Sequence, residues 1–401
     1  MRQLTIGRVA QMAAIAFMPW CRIDGNYDLA DLSIVRFERG RRVEGIDDAL
    51  QQDVQKILGT YKDIKGMPVD EAALLVLRNK QILDDLNDEE RDLLYELVEV
   101  IRFGGLANRE YFHPISHYCN SDCFACYVQR FTATDFTTPS SRRREGSTQS
   151  VWPIAEISIT VPPHCSPIRK VVVDANLITS LFGHRRDHPD EWTRWLNAIS
   201  SFNQANTDAE NFRHQVEWVL LCSAFEHLLD AESKAIDVAT KFANLLVPSE
   251  SKLVRDATRR SARWREEGRP LRFEWMREFY RIRGDFAHGR LESRQDMVWS
   301  LGEHMVLATI AFPLLVKLLL QTAHEYTLTD EDLAQIAAFE AFADIPRFTY
   351  PPADARGSLD SHWKRVRRQA NRSMAIKRVV AEWEQANNNR AGDAPDNETD
   401  Q

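Results

Sequence analysis

The chain has 401 residues, 51 Lys and Arg against 59 Asp and Glu, and a formal net charge of −8. That length predicts two domains, and the acidic balance excludes a generally cationic nucleic-acid coat while leaving room for a local basic groove. Six cysteines (Cys21, Cys119, Cys123, Cys126, Cys165, Cys222) are too few for a disulfide framework and predict a reducing, cytoplasmic setting.

Residues 1–18 are fairly apolar, but Arg8 and Gln11 interrupt them and no small-residue cleavage pattern follows, so they read as structure. Leu32–Phe37 has strand character after the turn signal Asp24-Gly25-Asn26. Three helices are expected next: an amphipathic one over 45–58, a leucine- and alanine-rich one over Asp70–Leu83, and Asn87–Phe103. The last opens with Asn87 and Glu90 spaced as a capping box, asparagine replacing the usual Ser or Thr. After Gly104-Gly105 the chain turns irregular as far as Phe131. Thr137–Ser150 reads as a loop in which Arg142, Arg143 and Arg144 form a solvated run, and Ile154–Val161 and Ile168–Val173 read as strands.

From about Asp190 the strand signals cease. Helices are predicted over Trp192–Asn206, Asn211–Leu229, Glu232–Leu246, Ser249–Arg265, the stretch beginning at Arg272, Met297–Tyr326, and Asp330–Phe342 behind a Thr329 cap. Pro351-Pro352 and Gly357 mark a break before the polar helix Leu359–Ala386, and 387–401 reads as a disordered tail. The expected fold is mainly α: a smaller α+β domain over 1–186, a helical bundle over 190–346 and a basic C-terminal helix over 358–386. The apolar run Met305–Leu320 falls short of the roughly 20 residues a bilayer span needs and contains Lys317. It reads as a buried bundle helix kinked by Pro313, with no membrane partner.

The strongest chemical lead is Arg272–Gly289. Phe273, Met276, Tyr280 and Arg283 fall on one line of a helix, and Trp275, Phe279, Ile282 and Phe286 on a second. Glu274, Arg277, Glu278, Arg281 and Asp285 share the remaining face, which is expected to be solvated. Arg283 continues an otherwise apolar line, and a guanidinium there needs a partner or a ligand. Past Gly284 stands His288, followed by Gly289. In Trp218–Leu229, Glu226 follows Cys222 by four residues and Val219 by seven, a carboxylate on a mostly apolar line that could meet Arg283.

With these residues the region from about Asp190 to Pro346 resembles the HEPN superfamily, and more closely its Apea-like branch. The points of likeness are the early helix Ala224-Phe-Glu-His-Leu-Leu229, the lysine-linked helix Lys234–Leu246, and the arginine–histidine motif Tyr280-Arg-Ile-Arg-Gly-Asp-Phe-Ala-His-Gly289. Trp195–Asn206 resembles the family's lead-in. The match covers under half of the chain, and Gly284 stands where the family often has a polar residue.

The resemblance implies a metal-independent endoribonuclease without a cofactor, working on RNA as a homodimer with the motifs facing each other, and acting as a toxin or antiphage effector. The N-terminal domain would be a sensor or answer to a regulatory protein partner. His288 would be the acid or base and Arg283 the phosphate clamp, with Arg281, Asp285 and Glu226 in support; Arg281 also fits the family's spacing to the histidine. On an ideal helix a five-residue offset separates Arg283 and His288 by about 140°. Either a glycine bends the chain or a second subunit completes the site. Two other readings stay open: a capped helix end whose arginine pairs with Glu226, and a non-catalytic HEPN-like module binding RNA, a nucleotide or a protein.

Two further leads remain. His113, His117, Cys119, Cys123 and Cys126 have a spacing that could hold zinc, against the competing reading of buried thiols and surface histidines. The helix Trp363–Arg378 is basic and could track a phosphate backbone, or dock through Trp363, Val366, Ala370, Met374 and Val380, or serve as a dimerisation arm.

Overall fold

An apolar strand near the N-terminus, Ala13–Met18, is buried along almost its whole length and needs partners on both edges. The computed structural model describes residues 13–43, 46–108, 119–131, 136–137, 141–143, 146–148, 151–165, 170–264, 266–287, 297–348 and 359–392. The strands are β1 (Ala13–Met18), β2 (Tyr27–Asp28), β3 (Leu32–Glu38), β4 (Tyr61–Lys62), β5 (Glu71–Leu77), β6 (Tyr127–Phe131), β7 (Phe136–Thr137), β8 (Ser141–Arg143), β9 (Gly146–Thr148), β10 (Val151–Trp152) and β11 (Ile159–Thr160). Seven form one sheet in the order β10-β7-β6-β1-β5-β3-β2, with every neighbouring pair antiparallel. Beside it lie the β8–β9 hairpin and a short parallel pair, β4 with β11.

The helices are α1 (Asp48–Leu58), α2 (Asp88–Ala107), α3 (Ala175–Asp187), α4 (Pro189–Gln204), α5 (His214–Leu228), α6 (Ala235–Leu245), α7 (Leu271–Ala287), α8 (Leu301–Thr322), α9 (Asp330–Ala343) and α10 (Leu359–Gly392). The protein is thus mainly α, with a small sheet-containing N-terminal part. It divides into two compact units. The first comprises Met1–Ser233 with Arg283–Arg290 and Leu320–Tyr326; the second comprises Lys234–Ile282, Leu291–Leu319 and Thr327–Gln401. The division differs from the one expected near residue 186, because α3, α4 and α5 belong with the sheet.

Several elements depart from expectation. Asp70–Leu83, expected as a helix, supplies β5, which lies between β1 and β3 with Leu74 opposite both Phe17 and Val35. A strand buried on both faces loses its polar alternation, so its apolar run resembles that of a buried helix. Ser249–Arg265, also expected as a helix, contains among its described residues the 3-10 turn Val254–Asp256 and an isolated bridge from Leu253 to Pro270. Its backbone is satisfied by side chains instead: Lys252 N–H donates to Glu340 at 2.6 Å, and Thr258 and Arg259 N–H donate to Asp344 at 2.7 and 3.0 Å. Of the strands expected after Ile154, residues Ile154–Glu156 form a 3-10 turn, Ile159–Thr160 is β11, and Val171 makes a single bridge to Ile23. Residues 166–169 lie outside the described residues. At the C-terminus α10 continues past Ala386 to Gly392, into the segment expected as tail; 393–401 lies outside the described residues.

Phe17 and Tyr61 meet edge to face at 5.0 Å, and Tyr61 meets Tyr127 at the same separation. The capping box of α2 is present, with Glu90 N–H donating to Asn87 and Asn87 N–H to Glu90, both at 2.9 Å. Gly104 and Gly105 do not end α2 as expected; they let neighbours approach it. A Cβ at Gly105 would lie 2.1 Å from Phe124, and one at Gly104 2.5 Å from Ile178.

In the second unit α7 packs among aromatic rings, Trp275 lying 5.3 Å from Phe242 and 5.4 Å from Phe339. Its charged side is only partly solvated: Arg277, Arg281 and Asp285 are half-buried, but the two glutamates are enclosed, contrary to expectation. Glu274 is 1% exposed and pairs with Arg277, and Glu278 is 8% exposed. The Glu278 carboxylate accepts N–H groups from Val298 and Trp299 and faces His304 Nε2 at 3.0 Å, a reason for a carboxylate to be buried that helical periodicity cannot reveal. α8 is long and apolar enough to cross a membrane, yet 67% of its most apolar window is buried inside the protein. Pro313 lies within it, and Lys317 meets Asp332 at 2.8 Å. The Thr329 cap of α9 is a full capping box with Asp332.

The Gly105→Ala substitution drives a methyl group into the buried Phe124 ring. It should lower stability by roughly 1–3 kcal/mol in chemical denaturation, as overpacking does. A pH effect follows from His304. Burial holds its pKa below the usual 6.5, with the Glu278 hydrogen bond pulling the other way. The unfolded chain then takes up the proton more readily, so this contribution is intact above pH 6.5 and lost as pH falls from there towards the lower folded pKa. Denaturation between about pH 7 and 5 should show that fall, and His304→Gln should flatten it.

Candidate functional site

α5 carries Cys222 and Glu226 one helical turn apart, and both belong to the first unit with the last turn of α7. The Trp218 and Phe286 rings meet at 5.4 Å and fix that turn against α5. Glu226 and Arg283 then pair, Oε2 to Nη1, at 3.0 Å, with side chains 19% and 28% exposed. Ser233 Oγ donates to the other carboxylate oxygen of Glu226. Burial pushes the Cys222 thiol well up, while Arg283 pulls it the other way. The arginine on an apolar line therefore has its carboxylate partner, and solvent still reaches the pair.

α7 continues as helix through Gly284 to Ala287, so Gly284 does not end it. Arg281 and Asp285 are partly buried, four residues apart on one face. Asp285 Oδ2 is buried without a hydrogen-bond partner among the described residues. His288 and Gly289, which immediately follow α7, lie outside the described residues.

The cysteines gather at a second place in the first unit. His113 and His117 lie outside the described residues. Cys119 and Cys123 lie near Cys21, whose thiol burial pushes well up, helped by both neighbours. Cys123 donates to Asn120 Oδ1 at 3.3 Å and is hydrogen-bonded to Cys165. That bond and burial push the Cys165 thiol up. Cys126 stands in another environment, beside Arg102, and burial pushes its thiol up to about 12. Asp122 and His164 complete the group, Oδ2 to Nε2 at 2.7 Å, and Thr207 Oγ1 donates to the same carboxylate oxygen at 2.5 Å. Cys165 and His164 were not candidates from sequence, where an isolated His-Cys pair carries no ligand spacing.

A third cluster was also missed. His184 and His188, one turn apart at the end of α3, flank Glu325: His184 Nδ1 lies 2.8 Å from Oε2 and His188 Nε2 3.0 Å from Oε1. The His-x3-His spacing was legible, but its carboxylate lies far away in sequence. The basic helix α10, by contrast, docks on α9. Trp363 and Val366 are buried, and Trp363 lies 5.0 Å from Phe342. Arg367 and Arg378 pair with Glu331 and Asp330 at 2.5 and 3.0 Å, and Lys377 pairs with Glu250 at 2.7 Å. Ala370 and Met374 are partly buried, while Val380 is exposed, as are Ile376, Val379 and Trp383. Several cations offered for a phosphate backbone are thus matched by carboxylates.

Comparison of the chain with protein-family models, with curated proteins and with solved structures gives no match.

The Glu226–Arg283 pair should behave as a partly exposed bridge. A double-mutant cycle with Glu226→Gln and Arg283→Ala, read by urea denaturation, should give a coupling of about 0.5–1 kcal/mol. A coupling several times larger would mark a pair sealed from water and acting as a structural lock.

Proposed function

We propose that the protein is a metal-independent endoribonuclease of the HEPN kind, acting as a homodimer and serving as a toxin or antiphage effector. The observation that carries this reading is the solvent-reached Arg283, held by Glu226 at the end of α7 and followed five residues later in the sequence by His288. A salt bridge at 3.0 Å limits the rotamers of a long side chain, so the guanidinium is oriented before any phosphate arrives. Its forked donors suit the charge that builds on a phosphorane.

In the proposed reaction His288 takes the proton of a ribose 2′-hydroxyl, and the 2′-oxygen attacks the adjacent phosphorus. The bond from phosphorus to the 5′-oxygen breaks and that oxygen takes up a proton. The products are a 2′,3′-cyclic phosphate and a 5′-hydroxyl. Histidine suits this work because it titrates near neutral pH. Arg283 neutralises the non-bridging oxygens, and Glu226 keeps it aligned. Arg281 and Asp285, four residues apart on one face of α7, would supply a second cation and a carboxylate.

The pair at Arg283 also favours a second reading: the arginine is already matched in charge, as in a non-catalytic module that binds RNA, a nucleotide or a protein. Purified protein incubated with single-stranded RNA in EDTA separates the two. Cleavage leaving cyclic-phosphate ends is expected, falling by about 10²–10⁴-fold in His288→Ala and by about 10²–10³-fold in Arg283→Ala. Binding without cleavage, or cleavage that survives His288→Ala, would sink the nuclease reading. Light scattering should give a dimer mass.

A further inference from the structure

Two segments of the first unit that are distant in the chain bring metal-ligating atoms together. One ligand atom each from Asp122, His164 and Cys165 lie within 4.8 Å of one another. The Cys123 thiol adjoins them through its hydrogen bond with Cys165. We propose that Cys123, Cys165, His164 and Asp122 hold one zinc ion, a structural site that ties the turn Ser121–Phe124 to the loop following β11.

The donor chemistry selects the metal. Two sulfurs, an imidazole and one carboxylate make a poor cage for calcium or magnesium, which take oxygen ligands, and a good one for zinc. The spacing fits as well. Tetrahedral zinc with bonds of about 2.0–2.3 Å sets its ligand atoms about 3.3–3.8 Å apart. The 2.7 Å between His164 Nε2 and Asp122 Oδ2 has to open to that spacing, while the Cys165 thiol lies within 4.8 Å of both and already adjoins Cys123.

Outer partners are in place too. Thr207 Oγ1 donates to Asp122, and Asn120 Nδ2 donates to the His164 carbonyl at 2.7 Å. Such contacts orient ligands in metal sites. A nucleophilic Cys-His-Asp arrangement fits less well. Cys165 is 1% exposed and so closed to a substrate. Nothing in this site draws on Arg283 or His288, so it stands apart from the nuclease reading.

The experiment uses the full chain, purified without a histidine tag, with metal content measured by plasma mass spectrometry. One zinc per chain is expected. After removal of metal with a chelator, added zinc should raise the melting temperature, and cobalt should give a thiolate charge-transfer band in the near ultraviolet. Cys165→Ser and His164→Gln should each weaken zinc binding by more than roughly 100-fold, beyond what loss of an outer partner costs. If either fails to fold, Cys123→Ser and Asp122→Asn take its place, with folding checked by circular dichroism of the metal-free forms.

His184→Ala with His188→Ala should leave zinc binding unchanged. Four outcomes overturn the proposal: no zinc uptake by the metal-free wild type, binding that survives the ligand substitutions, a cobalt form without the thiolate band, or loss of binding only in the His184 and His188 variant. Detection of two free thiols fewer than the six cysteines in freshly purified, denatured protein would also overturn it, marking a Cys123–Cys165 disulfide instead.

Discussion

Within the second unit, the ion pair between Arg272 and Glu340 fixes how the helices and the irregular chain between them fit together. The two side chains are 7% and 2% exposed and meet at 3.0 Å. Glu340 also accepts the backbone N–H groups of Lys252 and Arg272, and Arg272 Nε donates to the Ala243 carbonyl at 2.9 Å. One carboxylate on α9 therefore reaches the start of α7, while its arginine reaches the end of α6 and the chain that follows. A buried pair contributes little when compared with an apolar replacement, but loss of one partner leaves an uncompensated charge and costs about 3–5 kcal/mol. The same device recurs nearby, where Arg259 pairs with Glu303 and donates to the Val298 carbonyl at 2.6 Å. Buried carboxylates here take the backbone N–H groups of Lys252, Thr258 and Arg259, which no helix satisfies.

That arrangement explains why α7 is a framework element for most of its length and a candidate site only in its last turn. From Leu271 to Ile282 its aromatic residues are packed, and even Glu274 and Glu278 are enclosed. In the last turn Arg283, Asp285 and Phe286 are partly exposed and Gly284 is exposed. A reactive group gains from such a support, since precise placement of a guanidinium depends on the packing of the helix that carries it. The first unit shows a different use of polar groups. Its thiols, imidazoles and carboxylates form compact clusters at Asp122–His164–Cys165 and at His184–His188–Glu325, each drawing on distant parts of the chain.

The helix caps were legible because they are local: Asn87 with Glu90, and Thr329 with Asp332, act over three residues. The two apolar lines of α7 were legible for the same reason, since helical spacing alone decides them. Glu226 and Arg283 could be suspected of meeting because each interrupts an apolar line and a buried charge needs an opposite one. Leu74 and its neighbours were misread because an apolar run without alternation suits a central strand and a buried helix equally. Ser249–Arg265 was misread because helix-forming composition says nothing of carboxylates on a later helix that take its backbone N–H groups.

By itself, then, the sequence determined a mainly helical protein with a strand-bearing N-terminal part, its principal caps, and an arginine that needed a partner or a ligand. Those features depend on neighbours within one or two turns, or on a charge that burial makes costly wherever it lies. Tertiary structure alone decided which side of α7 would be dry, that α3 to α5 belong with the sheet, and that Cys165 and His164 would stand with Cys123 and Asp122. These rest on contacts between residues tens of positions apart, and no local periodicity carries that information.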